Sequence, residues 1–425
     1  MDNINTSLIV KWLRLPMALL VIFIHMTPHL NPHFTPVYSI DWQSLSPDNI
    51  YSIIGIFFNN LCTVAVPFFF FTAGYYFFFN TEKFDKDTYK SKIKKLLDEL
   101  SQEAYAGPLS KYLFAAARFV REKSYGHNVF LRGLIEFTNY CKNDCYYCGI
   151  RCSNHKATRY RLSLEEILLS CEIGYKNNLR TFVLQGGEDM YFSDDKMIQI
   201  IKEIKNKYPE CAITLSIGEK TRASYQKYFD AGADRYLLRH ETANISHYQK
   251  LHPAKMDLNN RLNCLKNLKD IGYQVGAGMM IGSPYQTLAD LLTDLEFLSN
   301  FRPHMIGTGP FIPHEQTPFK DKTAGSVNLT LVILAIIRLL LPKVLLPATT
   351  ALATLAPNGT IKGLEAGANV IMPNISPLNI RSLYTLYNNK KITGGESLEG
   401  IIKLTNALQE HGYHVTSGRG DSLMS

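Results

Sequence analysis

The chain has 425 residues, 46% of them apolar and 19% charged, which excludes a disordered polypeptide and leaves room for one large barrel with an appendage or a few ordinary domains. Eight cysteines at this length exclude a disulfide-stapled miniprotein, and a net charge of +8, from 45 Lys+Arg against 37 Asp+Glu, gives no case for nucleic acid as a partner. The charge is unevenly spread: residues 1–80 hold only Lys11, Arg14, Asp2, Asp41 and Asp48, with both tryptophans (Trp12 and Trp42) and the runs Phe68–Phe71 and Phe77–Phe79.

No charge occurs between Asp48 and Glu82, and Tyr51–Phe79 exceeds the about 20 apolar residues that cross a bilayer. A shorter apolar run, Leu15–Met26, precedes it, lengthened by Leu8-Ile9-Val10 if Lys11 and Arg14 snorkel. Lys83, Lys86, Lys90, Lys92, Lys94 and Lys95 follow the second run, so the positive-inside bias puts both ends in the cytoplasm and residues 27–50 outside. This predicts a two-helix transmembrane hairpin over 1–80 and a basic linker over 81–95. Two buried helices of a soluble protein are the alternative. No small-residue cleavage site follows the first run, so it does not read as a signal peptide. The stretch Arg14-Leu-Pro-Met-Ala-Leu-Leu-Val-Ile-Phe-Ile-His25, then Val66–Tyr75 and the Lys-rich tract, resembles the start of the acyltransferase-3 family of membrane O-acyltransferases. That family has around ten membrane helices, so the resemblance implies a truncated piece without acyltransferase activity, whose remaining role is a membrane tether.

Residues 96–425 read as one enzyme domain. A helical segment, Leu96–Glu122, leads to a strand, Val129–Phe137. Candidate strands follow at Thr181–Leu184, Ala212–Ser216, Arg235–Arg239, Gln274–Ile281, Met305–Gly309, Val344–Thr350 and Asn369–Met372. Helical stretches lie between them at Ser163–Lys176, Asp194–Lys207, Asn259–Ile271 and Leu288–Asn300. Repeated βα units imply a parallel sheet, and the strand count is that of a (β/α)8 TIM-type barrel, with an open doubly wound sheet as runner-up.

The strongest motif is Cys141-Lys-Asn-Asp-Cys145-Tyr-Tyr-Cys148, directly after the first strand, where the catalytic loops of a barrel belong. Three thiolates at this spacing can hold three corners of a [4Fe–4S] cluster and leave one iron open. A zinc site would want a fourth protein ligand, for which Cys152 could be offered, and three unrelated thiols are the bland reading. Cys171, Cys211 and Cys264 read as core residues. After the second strand comes Gln185-Gly186-Gly187-Glu188-Asp189, where two glycines let the backbone approach a ligand and Glu188 can accept from an ammonium. Taken alone it is also a plain turn. Arg235 and Arg239, four apart on one strand, share a face, and two arginines inside a barrel are costly without an anion or carboxylate.

The cysteine motif, with an aromatic residue before its last cysteine, resembles the radical S-adenosylmethionine (SAM) enzymes. The run Arg132–Arg151 with Ser153-Asn154, and the pieces Thr214–Glu219, Arg239-His-Glu-Thr-Ala243, Pro347–Leu352 and Ala366–Asn374, resemble the HydE family of [FeFe]-hydrogenase maturases. Methylornithine synthase (PylB) and biotin synthase are the nearest rivals. The resemblance implies a cytoplasmic barrel and one [4Fe–4S] cluster that reductively cleaves SAM to a 5′-deoxyadenosyl radical. That radical acts on an iron–carbonyl–cyanide–cysteine precursor. It also implies contact with the other maturases and an electron donor such as ferredoxin or flavodoxin. Cys141, Cys145 and Cys148 then hold the cluster, and Gly186, Gly187 and Glu188 the methionine amino group. Glu241 takes the ribose hydroxyls and Arg261 the SAM carboxylate. Arg132, Gln185, Thr214, Ser216, Arg235, Arg239, Thr349, Thr350 and Met372 are expected to line the substrate cavity, although a lone Thr or Met in a strand is more often packing. Cys152 departs from the family, which often has Arg there, and the lack of cysteine after Cys264 predicts a single cluster. A membrane-bound chain with an inert barrel is the reading of another class.

Overall fold

In the computed structural model the described residues are 86–390 and 398–424; the apolar runs of 1–80 and the acyltransferase-3-like pieces within them lie outside these. The helices are α1 (Lys86–Gln102), α2 (Pro108–Tyr125), α3 (Leu164–Lys176), α4 (Asp194–Lys207), α5 (Arg222–Asp230), α6 (Ile245–Leu251), α7 (Leu258–Ile271), α8 (Leu288–Phe301), α9 (Val327–Leu340), α10 (Thr350–Leu355), α11 (Gly359–Glu365), α12 (Leu378–Arg381) and α13 (Leu398–Glu410). The strands are β1 (Asn128–Leu131), β2 (Gly133–Thr138), β3 (Thr181–Gly186), β4 (Ala212–Ser216), β5 (Arg235–Leu237), β6 (Gln274–Ala277), β7 (Met280–Ile281), β8 (Met305–Ile306), β9 (Gly309–Pro310), β10 (Val370–Ile371) and β11 (His414–Thr416).

The apolar runs of β2, β3 and β4 are buried along both faces, as strands of a parallel sheet covered by helices must be. They pair in parallel in the order β2-β3-β4-β5-β6-β8. Parallel bridges Met305–Leu345, Pro347–Val370 and Leu134–Asn374 then carry the ladder through the 345–347 segment and β10 back to β2. The ring is closed, so the barrel holds and the open sheet does not. Several helices around the ring start where the sequence supplies side-chain caps. Ser163 and Glu166 form a capping box on α3, Thr287 and Asp290 one on α8, and Ser193, Thr221 and Asp257 cap α4, α5 and α7.

Two expected boundaries shift. Val129–Phe137 is not one strand: Arg132 separates β1 from β2, and β1 pairs instead with β10 and β11. The tract 81–95, expected as a linker, is from Lys86 onward the first half of α1. Its Ile93 is buried with Leu97 and Leu100, and Lys90 Nζ stands 2.5 Å from a Glu296 carboxylate oxygen on α8. The barrel unit therefore begins at Lys86 rather than at residue 96. A chain starting at Leu96 is expected to be about 2–5 kcal/mol less stable than one starting at Lys86, the cost of deleting a buried Ile. Chemical denaturation of the two checks it, and equal midpoints would contradict it.

No helix among the described residues is long and apolar enough to cross a membrane. The most apolar, α9, has 14 residues and lies buried against α2.

Candidate functional site

The cysteine loop leaves β2 at a register shift between Glu136 and Thr138, at the C-terminal end of the ring. Cys141, Cys145 and Cys148 are free and half-buried. Burial raises all three thiols, Cys148 up to about 12, so without a metal the loop shelters neutral sulfurs. Three thiols along one loop at this spacing suit three corners of a cube-shaped cluster.

The loop is clamped from within. Asp144 accepts from Arg151 Nε at 2.6 Å and Nη2 at 2.5 Å, and from Ser153 Oγ at 2.7 Å, so the Arg151 bonds hold its carboxyl well below the usual range. Arg159 donates to four carbonyls, of Asn139, Ile150, Arg151 and Asn154. Tyr147, the aromatic residue before Cys148, reaches His252 Nε2 at 3.1 Å. Cys152 is exposed, and its N–H donates to Asn143 O. Neither Asp144 nor Arg159 was singled out from sequence; a fork-shaped cation just downstream of a lone Asp was the available signal.

The Gly-Gly-Glu element packs on this loop. A Cβ at Gly187 would fall 2.2 Å from Tyr140 O and 2.7 Å from Cys141 Cβ, so only glycine brings the backbone this close to the first cysteine. At Gly186 it would meet Thr138 Cγ2 at 2.7 Å. Glu188 has two internal partners. Its carboxylate accepts from Glu219 N–H at 3.0 Å and stands 3.2 Å from Lys142 Nζ, so it ties the β4 loop to the cysteine loop. Gly218, at φ +76, leaves room for it. Arg261 likewise has an internal partner: Nε donates to Glu219 Oε1 at 2.5 Å and Nη1 to Arg239 O at 3.1 Å.

Glu241 sits beyond β5 at φ +65, a strained conformation for a non-glycine residue. Its N–H donates to Gly278 O and its own carbonyl accepts from Met280 N–H, which hold it there. Arg239 Nη2 stands 3.0 Å from Glu241 Oε2, yet both atoms are buried without an aligned hydrogen bond. Thr349 Oγ1, at the N-cap of α10, is also buried and unbonded, and Thr350 opens that helix. Gln185 Nε2 reaches Tyr384 OH at 3.4 Å, and Ser216 pairs in register with Gln185. These orphaned polar atoms at the strands' C-terminal ends are suited to a polar ligand with hydroxyls and charge. A glycine cradle beside three thiols and this polar rim fit a cluster with SAM.

Arg132, Thr214 and Arg235 do not join them. Arg235 opens β5 while Arg239 lies beyond its end, about 13 Å further along an extended strand, so sharing a face does not bring them together. Arg235 donates to Asp421 Oδ1 at 2.6 Å and Arg419 O at 2.9 Å, and Arg132 to Gly420 O at 3.1 Å. The carboxylate their burial demands thus comes from the chain's own 419–421 segment at the barrel's N-terminal end. With Thr214 the two arginines line a cavity the size of about one water. Met372 is half-buried and packs against the cluster of Tyr125, Leu237, Met305, Leu345 and Val370.

Asp421 is pulled down to about 2, with Arg235 as the chief favourable contact against burial. Because the folded value lies below the unfolded one, its contribution is present above about pH 4 and lost as pH falls through that window toward 2. Asp421→Asn is expected to lower stability at neutral pH, with the difference vanishing near pH 2–3. Denaturation at several pH values checks this; a pH-independent difference would contradict it.

Sequence reasoning missed Glu136. It lies fully buried on β2, accepts from Asn374 Nδ2 at 2.8 Å and is ion-paired with Lys390 Nζ. Lys390 also donates to Tyr384 O, so the pair clips residues 384–390 over the mouth. There Leu386 O accepts from Gly149 N–H and Leu383 O from Asn139 Nδ2. A carboxylate inside an apolar strand was the signal for Glu136; nothing marked Lys390.

The comparisons agree with this geometry. Residues 135–298 match the family model of the radical SAM superfamily. The chain is 48% identical over 278 residues to the [FeFe] hydrogenase maturase subunit HydE of Thermotoga maritima, covering 65% of this chain and 79% of that one. It is 33% identical over 274 residues to the 3-methylornithine synthase of Methanosarcina barkeri, covering 62% and 75%. A crystal structure of methylornithine synthase (PylB) superposes with a TM-score of 0.67 at 27% identity, over 81% of this chain and 97% of that one. This chain belongs to the radical SAM superfamily and, within it, to the family of the HydE maturase.

Proposed function

We propose that this chain is a radical SAM enzyme of [FeFe]-hydrogenase assembly, acting on a small iron–carbonyl–cyanide–cysteine precursor beside the other maturases. The observation that carries it is the 48% identity to a HydE maturase over 278 residues, beside a radical SAM match over 135–298 that contains the cysteine loop, the Gly-Gly-Glu cradle and the Glu241 turn. A [4Fe–4S] cluster with SAM supplies a 5′-deoxyadenosyl radical when both are bound. The chain's own part is placement. Cys141, Cys145 and Cys148 hold the cluster, and the backbone of Gly186 and Gly187 lies against the methionine end. Glu241 accepts from the ribose hydroxyls, and Arg261, kept charged by Glu219, faces the SAM carboxylate. Gln185, Ser216, Arg239, Thr349 and Thr350 form the polar wall toward the substrate.

The likeness to PylB favours one second reading, a methylornithine-forming enzyme. Anaerobic incubation of the reconstituted chain with SAM and reductant separates them. We expect 5′-deoxyadenosine and no methylornithine from lysine; methylornithine would overturn the assignment. The charge-free Tyr51–Phe79 stretch and the lysines after it support a tether to the inner face of the cell membrane. Recovery of the full chain wholly in the soluble fraction would count against that tether.

A further inference from the structure

Glu241 keeps its left-handed backbone, φ +65, between neighbours that are tied down on both sides. The ties converge on two ionisable side chains that the placements above leave unused: His240, on the turn itself, and Asp294, on α8, each 0% exposed. His240 Nδ1 accepts from Gly278 N–H at 3.3 Å, so Nε2 carries the ring proton. That nitrogen stands 3.4 Å from Asp294 Oδ1. The same oxygen accepts from Ala243 N–H at 2.5 Å. Asp294 thus reaches the residue before Glu241 and the second residue after it. Gly278 meets the turn twice, its N–H at His240 and its carbonyl at Glu241 N–H. Its own backbone is packed on Gly307, whose carbonyl oxygen would lie 2.0 Å from a Cβ there. Phe297, one turn beyond Asp294 on α8, lies against the His240 ring, with centroids 4.7 Å apart.

We infer that His240 and Asp294 are positioning residues for SAM: they fix the 240–243 turn so that the Glu241 carboxylate stands ready for the ribose hydroxyls. The inference rests on the ribose reading of Glu241 under the proposed function. Three physical points favour it. First, packing alone would be served by an aliphatic side chain at 294, which shares the buried face of α8 with Leu291, Leu295 and Leu298. A carboxylate there gives up its hydration and needs partners in return. Both partners of Oδ1 belong to the turn, and Oδ2 has no hydrogen bond among the described residues, so the group serves the turn. Second, a left-handed non-glycine residue relaxes unless its surroundings hold it. Without Asp294, the turn keeps only its bonds to Gly278 and Met280 around Glu241. Third, a carboxylate set in place before its ligand arrives loses little further freedom on binding, so the hold is read as affinity for the hydroxyls it meets.

The test uses the full chain, reconstituted anaerobically with its cluster left oxidised, so that SAM binds without being cleaved. Binding of SAM and of its 2′,3′-dideoxy analogue, which lacks both ribose hydroxyls, is titrated calorimetrically. Asp294→Ala removes both contacts of Oδ1, whereas Asp294→Asn keeps an acceptor for Ala243 N–H. His240→Asn keeps an acceptor for Gly278 N–H without the reach to Asp294, and it carries the same comparison should Asp294→Ala not fold. SAM affinity is expected to fall about tenfold in Asp294→Ala and in His240→Asn, with the analogue held within about twofold and Asp294→Asn restored to within about threefold of the parent. Unchanged SAM affinity would overturn the inference, and so would equal losses for SAM and the analogue, which would mark the pair as purely structural. Glu241→Ala examines the reading beneath it and is expected to abolish the preference for SAM over the analogue. A preference that survives Glu241→Ala would overturn the ribose reading and the inference with it.

Discussion

Cys145→Ala is expected to yield a chain without a [4Fe–4S] cluster and with SAM cleavage below detection. Cys145 is half-buried, set against Met256 with its sulfur 3.9 Å from Met256 Sδ. Its loop is rigidly clamped by Asp144–Arg151 and by the four carbonyl contacts of Arg159, so no other side chain can swing into its place. Cys152, the obvious substitute, is exposed and its backbone is fixed to Asn143 O. Cys152→Ala is therefore expected to keep cluster content and cleavage within about twofold of the unmodified chain, a difference of less than about 0.5 kcal/mol. Iron and sulfide analysis with electron paramagnetic resonance after reduction reads both. A normal reduced-cluster signal in Cys145→Ala, or its loss in Cys152→Ala, would reverse the ligand assignment.

Lys390→Met is expected to cost about 3–5 kcal/mol, because it leaves the Glu136 carboxylate buried without its cation. Burial already pushes that carboxyl up, and Lys390 is the chief group opposing the rise. Glu136→Gln/Lys390→Met removes the uncompensated charge and keeps the Asn374 contact, so it is expected to lose less than Lys390→Met alone. Denaturant unfolding of the three chains measures this. Equal stability of Lys390→Met and the parent would mean that the pair does not hold the 384–390 segment over the mouth. The same release would loosen the Leu386–Gly149 and Leu383–Asn139 bonds that brace the cysteine loop, so cluster retention after desalting is expected to fall alongside stability.

The residues differ in how plainly they announced themselves. The βα alternation and the C-x3-C-x2-C spacing are local patterns, and the strand and helix positions they implied fall close to β2–β6 and to α3, α4, α7 and α8. Side-chain partnership across the ring is not local. Arg132 and Arg235 read as substrate-cavity residues because their partners lie far off in the chain, Asp421 186 positions from Arg235. Glu188 and Arg261 also have internal partners that no pattern announced, Glu219 N–H and Glu219 Oε1, which come from a loop with no motif of its own. The same blindness hid Lys390. The linker over 81–95 was misplaced for a different reason: its lysines suggested a solvated tract, whereas Ile93 and Leu97 at helical spacing bury one face of α1.

The most direct test of the central claim is genetic complementation. The full chain would be expressed anaerobically in a strain lacking its own HydE but holding the other maturases and an [FeFe]-hydrogenase, and hydrogen evolution assayed. The account predicts restored hydrogen evolution, abolished by Cys145→Ala. No hydrogen from a soluble chain with its cluster intact would contradict it.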